Sequence, residues 1–303
     1  MSSDKTPALV TIGEAVNLLS GEFPDVSVSS LRLLEREGLL SPQRKPGGHG
    51  LYGVNELERV RQIKRWQAER ISLREIRERL ERAPQPEKLD TVVTEMTSYI
   101  LAGYIWPALD MLKELHETGT PLLVILNDVL TPVLRNLGDD KGNHLIPVDV
   151  QLELDEYLIA FLSTIAAQSA NPTGTPVIVA ACPPWERHDM PLRMLVALLT
   201  ERGATVHFIG AQVDGEFVRD AIARVDPDSI LISLTVRPPQ KAAAWFADII
   251  STMDSNQCML VGGMGSTHLP AFDAPNVEVV GMISYAETTE RLMATGRTST
   301  GEG

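Results

Sequence analysis

The chain has 303 residues, more than one hydrophobic core usually supports, which predicts two or three domains. Its composition, 44% hydrophobic and 22% charged, is typical of a soluble globular protein. Only two cysteines are present, Cys182 and Cys258, and no C-x-x-C spacing occurs, which argues against a disulfide framework or a structural zinc site.

The hydropathy pattern does not suggest a membrane protein. The N-terminus lacks a basic stretch followed by an apolar one, and no apolar run reaches the roughly 18 residues that a membrane span needs. We therefore expect a cytoplasmic protein with no membrane partner. The net charge of −13 is uneven, because residues 1–82 carry +2 and the remainder −15. A polyanionic partner is therefore expected at the front of the chain.

Three kinds of pattern follow one another. Arg and Glu at helical spacing continue to about Arg82, where two prolines end the helix. From Leu89 to Gln168 apolar residues recur at three- and four-residue steps, which predicts a bundle of about four helices. Short apolar runs then alternate with helical patterns, which predicts a doubly wound parallel α/β sheet with its ligand beyond the carboxyl ends of the strands. The predicted divisions are 1–82, 88–170, 175–293 and a disordered tail over 294–303.

Within the last segment, four strands and two of the helices between them can be predicted. The strands are placed at 177–181, 206–209, 230–234 and 259–261, and the helices at 192–202 and 215–224.

The front of the chain has the pattern of a helix-turn-helix. Thr11 is a suitable N-cap for a first short helix, and a turn containing Gly21 and Pro24 follows it. The second helix carries small hydroxyl residues and an arginine in its first turn, a form that enters the major groove of DNA. A glycine-rich basic hairpin over 43–52 is suited to contact phosphates. These features predict nucleic-acid binding.

This region resembles the MerR family of transcription regulators. The family's I-G-E, L-R-x-x-E-R-x-G-L-L-x-P-x-R and G-H-x-x-Y elements occur in order. The resemblance implies a winged helix-turn-helix and a set of DNA-binding residues, with the first three in the groove and the others in the wing: Ser29, Ser30, Arg32, Arg44, Lys45, His49 and Tyr52.

Two departures from the family pattern bear on affinity. Gly50 stands where the family usually has an arginine, and residues 22–25 read as an insertion in the turn. A plainer interpretation of the second helix is that Arg32 and Arg36 pair with Glu35 and Glu37 on a solvated face.

A histidine lies in the loop after the first predicted strand of the sheet. Glu186 precedes His188 by two residues, so the carboxylate could orient one ring nitrogen while the other binds a metal. Taken alone the signal is weak, because a histidine in such a loop is more often solvated or structural.

The segment 176–280 resembles the cobalamin-binding domain of methionine synthase and of the CarH and LitR type of photoreceptor regulator. The family signature D/E-x-H-x-x-G, S-x-L/T and G-G is matched here with Pro191 in place of the usual glycine. The resemblance implies that His188 is the lower axial ligand of cobalt. The residues implied to bind the cofactor are Glu186, His188, Ser233, Thr235, Gly262 and Gly263.

The light-sensing members cover the adenosyl group with a tryptophan and a Glu-His pair, which this sequence does not show cleanly. Lys141 occupies the tryptophan position, and Trp106 or His144 could instead reach the upper face. Adenosylcobalamin, another upper ligand, or a different tetrapyrrole such as a bilin therefore remain alternatives.

These observations predict a DNA-binding transcription regulator, not an enzyme, controlled by a bound cobalamin and responsive to light through that cofactor. The cofactor would set the association of a homo-oligomer, a dimer or tetramer, and so set operator binding. A regulator that senses a bilin and a corrinoid-dependent methyl carrier are the alternatives, as is a regulator whose ligand domain has lost its cofactor.

Overall fold

The computed structural model of the chain describes residues 9–44, 50–68, 70–82, 86–138 and 145–296. It divides into two compact units, residues 1–154 and 155–303, each described here by itself. Among the described residues, no helix combines the length and the apolar character that a membrane span requires.

The head of the first unit is a small winged helix-turn-helix. Its three short strands form an antiparallel sheet in the order β1-β3-β2. The first helix is capped as the sequence predicts, because Thr11 Oγ1 accepts from the backbone N–H of Glu14 and Glu14 Oε2 accepts from the N–H of Thr11 at 2.7 Å. The elements are β1 (Val10–Thr11), α1 (Ile12–Leu19), α2 (Val28–Arg36), β2 (Gln43–Arg44), β3 (Gly50–Tyr52), α3 (Val54–Ala68) and α4 (Leu73–Arg82).

Ion pairs join the turn between α1 and α2, where residues 22–25 were predicted to be an insertion, to helix α3. The Glu22 carboxylate lies 2.8 Å from the guanidinium of the buried Arg61, and Asp25 accepts from Lys64 at 2.7 Å. The hydrogen bond from Lys64 lowers the pKa of Asp25. Phe23 packs against the hydrophobic core of the head. The insertion therefore has a fixed place against the domain.

Four helical stretches follow, as the apolar periodicity predicts. The third stretch contains a π-helical turn over Ile125–Leu130, directly before the helix that carries Pro132. A proline has no N–H and its ring clashes with the carbonyl four residues earlier, so a widened turn accommodates it. The elements are α5 (Pro86–Leu101), α6 (Ile105–Glu117), α7 (Leu122–Val124), the π turn, α8 (Thr131–Asn136) and α9 (Val148–Ser169).

The second unit contains a five-stranded parallel sheet in the order β5-β4-β6-β7-β8. All four predicted strands and both predicted helices are present, whereas β8, α12 and α13 were not predicted. The elements are β4 (Val177–Ala181), α10 (Met190–Glu201), β5 (Thr205–Gly210), α11 (Gly215–Val225), β6 (Ser229–Ser233), α12 (Ala242–Ile250), β7 (Cys258–Gly262), β8 (Val277–Gly281) and α13 (Tyr285–Met293).

Helices cover both faces of this sheet, which makes it doubly wound. One apolar core lies on the side of α11 and α12 and includes Ile232, Phe246 and Val261. The other lies on the side of α10 and α13 and includes Leu192 and Leu292. From β4 the chain winds first to β5 and then back to β6 on its other side. The loops after β4 and β6 consequently meet at the switch point, where ligands bind in such sheets.

Candidate DNA-reading helix and corrinoid site

The carboxylate of Glu186 joins the two loops at the switch point. Its side chain is fully buried in the loop after β4. Oε1 accepts from the backbone N–H of His188 at 2.8 Å, while Oε2 accepts from the backbone N–H groups of Thr235 at 2.5 Å and Val236 at 2.9 Å. The Thr235 hydroxyl donates a further bond to Oε2 at 2.8 Å. Both oxygens are therefore saturated by the protein itself.

These hydrogen bonds also set the charge of the group. Burial alone would raise the pKa of Glu186, but the bonds from His188, Val236 and Thr235 outweigh burial, and the pKa is lowered. Glu186 is consequently an anion at neutral pH.

The imidazole of His188 is oriented by this anion. Its Nδ1 lies 2.8 Å from Glu186 Oε1, and the side chain is 44% exposed. A carboxylate that only accepts favours the tautomer with the proton on Nδ1, which we assign from the hydrogen-bond pattern. Nε2 then carries a lone pair on an exposed ring, which is the form of histidine that binds a metal.

Glycines let the loops after β6 and β7 approach each other. Gly263 has φ +96°, and a Cβ there would lie 2.1 Å from the carbonyl oxygen of Leu234. A Cβ on Gly265 would lie 2.0 Å from the carbonyl oxygen of Val236. Only glycine fits either position. The predicted role of Gly263 in admitting a ligand remains a prediction, and the structure shows in addition that this glycine permits contact between two protein loops.

The other residues predicted to bind the cofactor lie at different places around the ends of the strands. Gly262 ends β7, and a Cβ there would meet no protein atom closer than 3.6 Å, so its predicted approach to the cofactor remains a prediction. Ser233 ends β6 and is nearly buried. Thr235 holds Glu186 in addition to lying at the switch point. Gly265 was missed, although the spacing Gly-Gly-x-Gly is visible in the sequence.

The structure does not test the residues predicted to reach the upper face of the cofactor. His144 and Lys141 fall outside the described residues. Trp106 lies in the first unit on α6, half-exposed, with the ammonium of Lys113 5.9 Å from its ring centroid. Its role remains a prediction.

Within the described part of the chain, Glu35 and Glu37, at the recognition helix α2, bind residues outside that helix and do not pair with its arginines. Glu35 accepts a hydrogen bond from the Tyr52 hydroxyl. Glu37 accepts from Arg77 at 2.8 Å. Over the residues that the structure describes, no ion pair joins Arg32 or Arg36 to either acid. The interpretation of these arginines as partners of Glu35 and Glu37 is therefore wrong.

Two residues predicted to contact DNA have structural roles. Tyr52 is fully buried, and burial together with the neighbouring Glu35 raises its pKa. It fastens α2 to the wing from inside the core and does not face a phosphate. Ser30 Oγ donates to the carbonyl of Ser27 and accepts from its N–H, so its hydroxyl is used in the helix cap. These contacts weaken both assignments to DNA, which remain predictions.

The remaining predicted contacts are compatible with a surface role. Ser29, Arg32 and Arg44 are exposed. Lys45 and His49 lie outside the described residues. Gly50 pairs with Arg44 in the wing, and a Cβ there would be 3.1 Å from the Pro42 ring. The larger side chain usual in the family would therefore crowd Pro42.

Comparisons with known proteins agree with this division. The model of the MerR HTH family regulatory proteins matches residues 11–83, and that of the B12 binding domain matches residues 176–293. An uncharacterised HTH-type transcriptional regulator of Mycobacterium tuberculosis is 37% identical over 90 residues, which cover 29% of this chain and 36% of that protein. The chain thus spans about a third of the length of that relative.

Longer matches have lower identity. The HTH-type transcriptional repressor CarH of Myxococcus xanthus is 25% identical over 251 residues, covering 78% of this chain and 82% of CarH. The monomethylamine corrinoid protein of Methanosarcina barkeri is similar in structure with a TM-score of 0.45 and 13% identity, over 67% of this chain and 96% of that one. The chain therefore carries a MerR-type helix-turn-helix domain and a B12-binding domain, and it is homologous to CarH.

Proposed function

We propose that the chain is a DNA-binding transcription regulator whose DNA affinity is controlled by a corrinoid held at His188. The observation that carries the proposal is the His188 imidazole, oriented at Nδ1 by a buried anion and belonging to a side chain that is 44% exposed. The DNA-binding half rests on the exposed arginines of α2, whose neighbouring acids are bound by other residues.

The residues at the carboxyl edge of the sheet fit such a cofactor. A neutral imidazole nitrogen is a suitable ligand for a transition metal. Met264 and Met282 follow β7 and β8 and are 63% and 75% exposed, so the edge offers apolar surface for a large planar ring. When bound, the corrinoid would supply a cobalt centre, which His188 would hold through a neutral ring nitrogen.

The protein's own contribution is to couple the imidazole to two loops. Glu186 binds His188 through one oxygen and the loop after β6 through the other. A displacement of the ring would therefore act on both loops. Glu186 also keeps the proton on Nδ1, so Nε2 stays available to the metal.

We propose that the corrinoid state sets how copies of the chain associate, as a dimer or tetramer. Joining two heads raises the effective concentration of the second at its half-site, so a change in association alters DNA affinity by orders of magnitude. The light response implied by the resemblance, and the choice of adenosyl or other upper ligand, are parts of this proposal that absorbance and gel filtration before and after illumination test.

The metal ligand is tested by electron paramagnetic resonance of the cob(II)alamin-loaded full-length protein. We expect the cobalt lines to split into triplets by one nitrogen, and into doublets when the histidines are labelled with nitrogen-15. A splitting that is unchanged by the label would mean that no protein imidazole is bound. The His188→Ala variant is expected to lose the label effect, and the His207→Ala variant to keep it.

A further inference from the structure

We propose that Val28 of the recognition helix reads the C5-methyl group of a thymine, next to a guanine read by Arg32. The inference rests on the proposed DNA-binding function and deepens it, because it assigns base identities to two positions of the operator. The carrying observation is an aliphatic side chain exposed on a basic helix face that the rest of the head leaves uncovered.

The two faces of α2 are clearly separated. Leu31 and Leu34 are buried in the core of the head, and Glu35 is held by Tyr52. At 3.6 residues per turn, the exposed positions fall within an arc of about 140° on the opposite side. These positions are Val28, Ser29, Arg32, Leu33 and Arg36.

Val28 is the first residue of the helix and is 39% exposed. In a helix-turn-helix, the N-terminal residues of the recognition helix reach the base edges, while later residues lie nearer the backbone. A branched aliphatic group at this end can contact one apolar group in the major groove, the methyl of thymine. The sugar-phosphate backbone has no comparable partner for it, which argues for a base contact.

Arg32 lies one turn after Val28 on the same face. Its guanidinium matches the two acceptors of guanine, O6 and N7. Four residues of helix span about 6 Å and base pairs are stacked about 3.4 Å apart, so the thymine and the guanine lie within about two base pairs. Ser30 is not available as a third reader, because its hydroxyl is used in the cap with Ser27.

The first experiment finds the operator. The full-length chain, with and without hydroxocobalamin, is used to select duplexes from a randomised DNA library. We expect an enriched half-site with a thymine and a guanine within about two base pairs. Each enriched thymine is then replaced by deoxyuridine, which removes only the methyl group.

One deoxyuridine replacement is expected to weaken wild-type binding about fourfold, the effect of losing one buried methyl. The Val28→Ser variant removes both methyl groups of the side chain and should abolish the difference between thymine and uracil at that position alone. Leu18→Ala is the matched control, because Leu18 is an aliphatic residue on α1 that is 44% exposed. This control should keep the full penalty.

The possible outcomes distinguish a failure of the proposed DNA binding from a failure of the role assigned to Val28. Selection that enriches no sequence in either ligand state would contradict DNA binding itself. Enrichment with wild-type binding that is indifferent to every deoxyuridine, or a penalty that survives in Val28→Ser, would overturn the role of Val28 and leave the regulator intact. Because Val28 is exposed, thermal melting of the variants should match the wild type.

Discussion

The recognition helix and the carboxyl edge of the sheet differ in whether their key charged groups are exposed or buried. On α2, Arg32 and Arg36 lie exposed while Glu35 and Glu37 are bound to other parts of the head. At the sheet, the charged group is Glu186, which is fully buried with both oxygens occupied. The His188 side chain beside it is 44% exposed.

Under the proposed function, the difference would reflect the two ligands. DNA is a large polyanion that meets an exposed surface, so cations must remain unpaired in order to bind it. A metal ligand must hold one orientation and one protonation state, so its partner is enclosed and fully hydrogen-bonded. Substitutions that act on one region and spare the other test this contrast.

The largest effect is expected from filling the glycine contacts beside Glu186. Gly263→Ala and Gly265→Ala should destabilise the second unit by about 2–4 kcal/mol, because each Cβ would meet a backbone carbonyl. Gly262→Ala is the matched control, with nothing closer than 3.6 Å. Denaturant unfolding measures the three. Equal stability of all three variants would show that the loops are not in contact.

Removing the buried carboxylate should act mainly on the cofactor. Glu186→Ala leaves the N–H groups of Thr235 and Val236 without an acceptor and frees the imidazole of His188. We expect corrinoid affinity to fall about 10- to 100-fold, measured by absorbance titration with hydroxocobalamin. Asp189→Asn, in the same loop but paired with Arg193, should bind normally. Equal loss in both variants would count against a specific role for Glu186.

Two arginines of the recognition helix, Arg32 and Arg36, should contribute to DNA binding in different ways. Arg32→Ala should lower operator affinity by about 1–3 kcal/mol and relax selectivity at one base pair, whereas Arg36→Ala should weaken all sequences and reduce the salt slope by about one. Arg74→Ala is the control, because Arg74 is an exposed arginine of α4 paired with Glu78. Fluorescence anisotropy over a range of salt concentrations measures the affinities. Loss of affinity in Arg74→Ala alone would place the DNA elsewhere.

The smallest effect is expected from the hydroxyl of Tyr52. Tyr52→Phe releases Glu35, which can then compete for Arg32, so we expect operator affinity to fall about two- to threefold and head stability by about 1 kcal/mol. The affinity should recover in Tyr52→Phe combined with Glu35→Gln. An affinity that stays low in the double variant would mean that the acid is not the cause.

Much of this organisation could be predicted from the sequence. Periodicity and caps are local, so α1, α2 and the four apolar strands were predicted correctly, and the spacing of Glu186 and His188 predicted the contact between their side chains. The short edge strand β8 was missed, because Glu278 interrupts its apolar run.

What the sequence could not provide were contacts over long distances in the chain. The donors that saturate Glu186 are backbone N–H groups about 50 residues away, and every residue type except proline has one. The binding of Glu35 by Tyr52 likewise depends on the packing of the wing against α2. The structural roles of Tyr52 and Ser30 were therefore not predicted.

The central claim is that a corrinoid on His188 controls the head, and it is tested most directly by DNA affinity. Operator binding by the full-length chain is measured with and without hydroxocobalamin, for wild type and His188→Ala. The account predicts a corrinoid-dependent change of at least about tenfold in wild type and none in His188→Ala, with equal affinity of the two proteins when no corrinoid is added. Wild-type affinity that is the same with and without the corrinoid would contradict it.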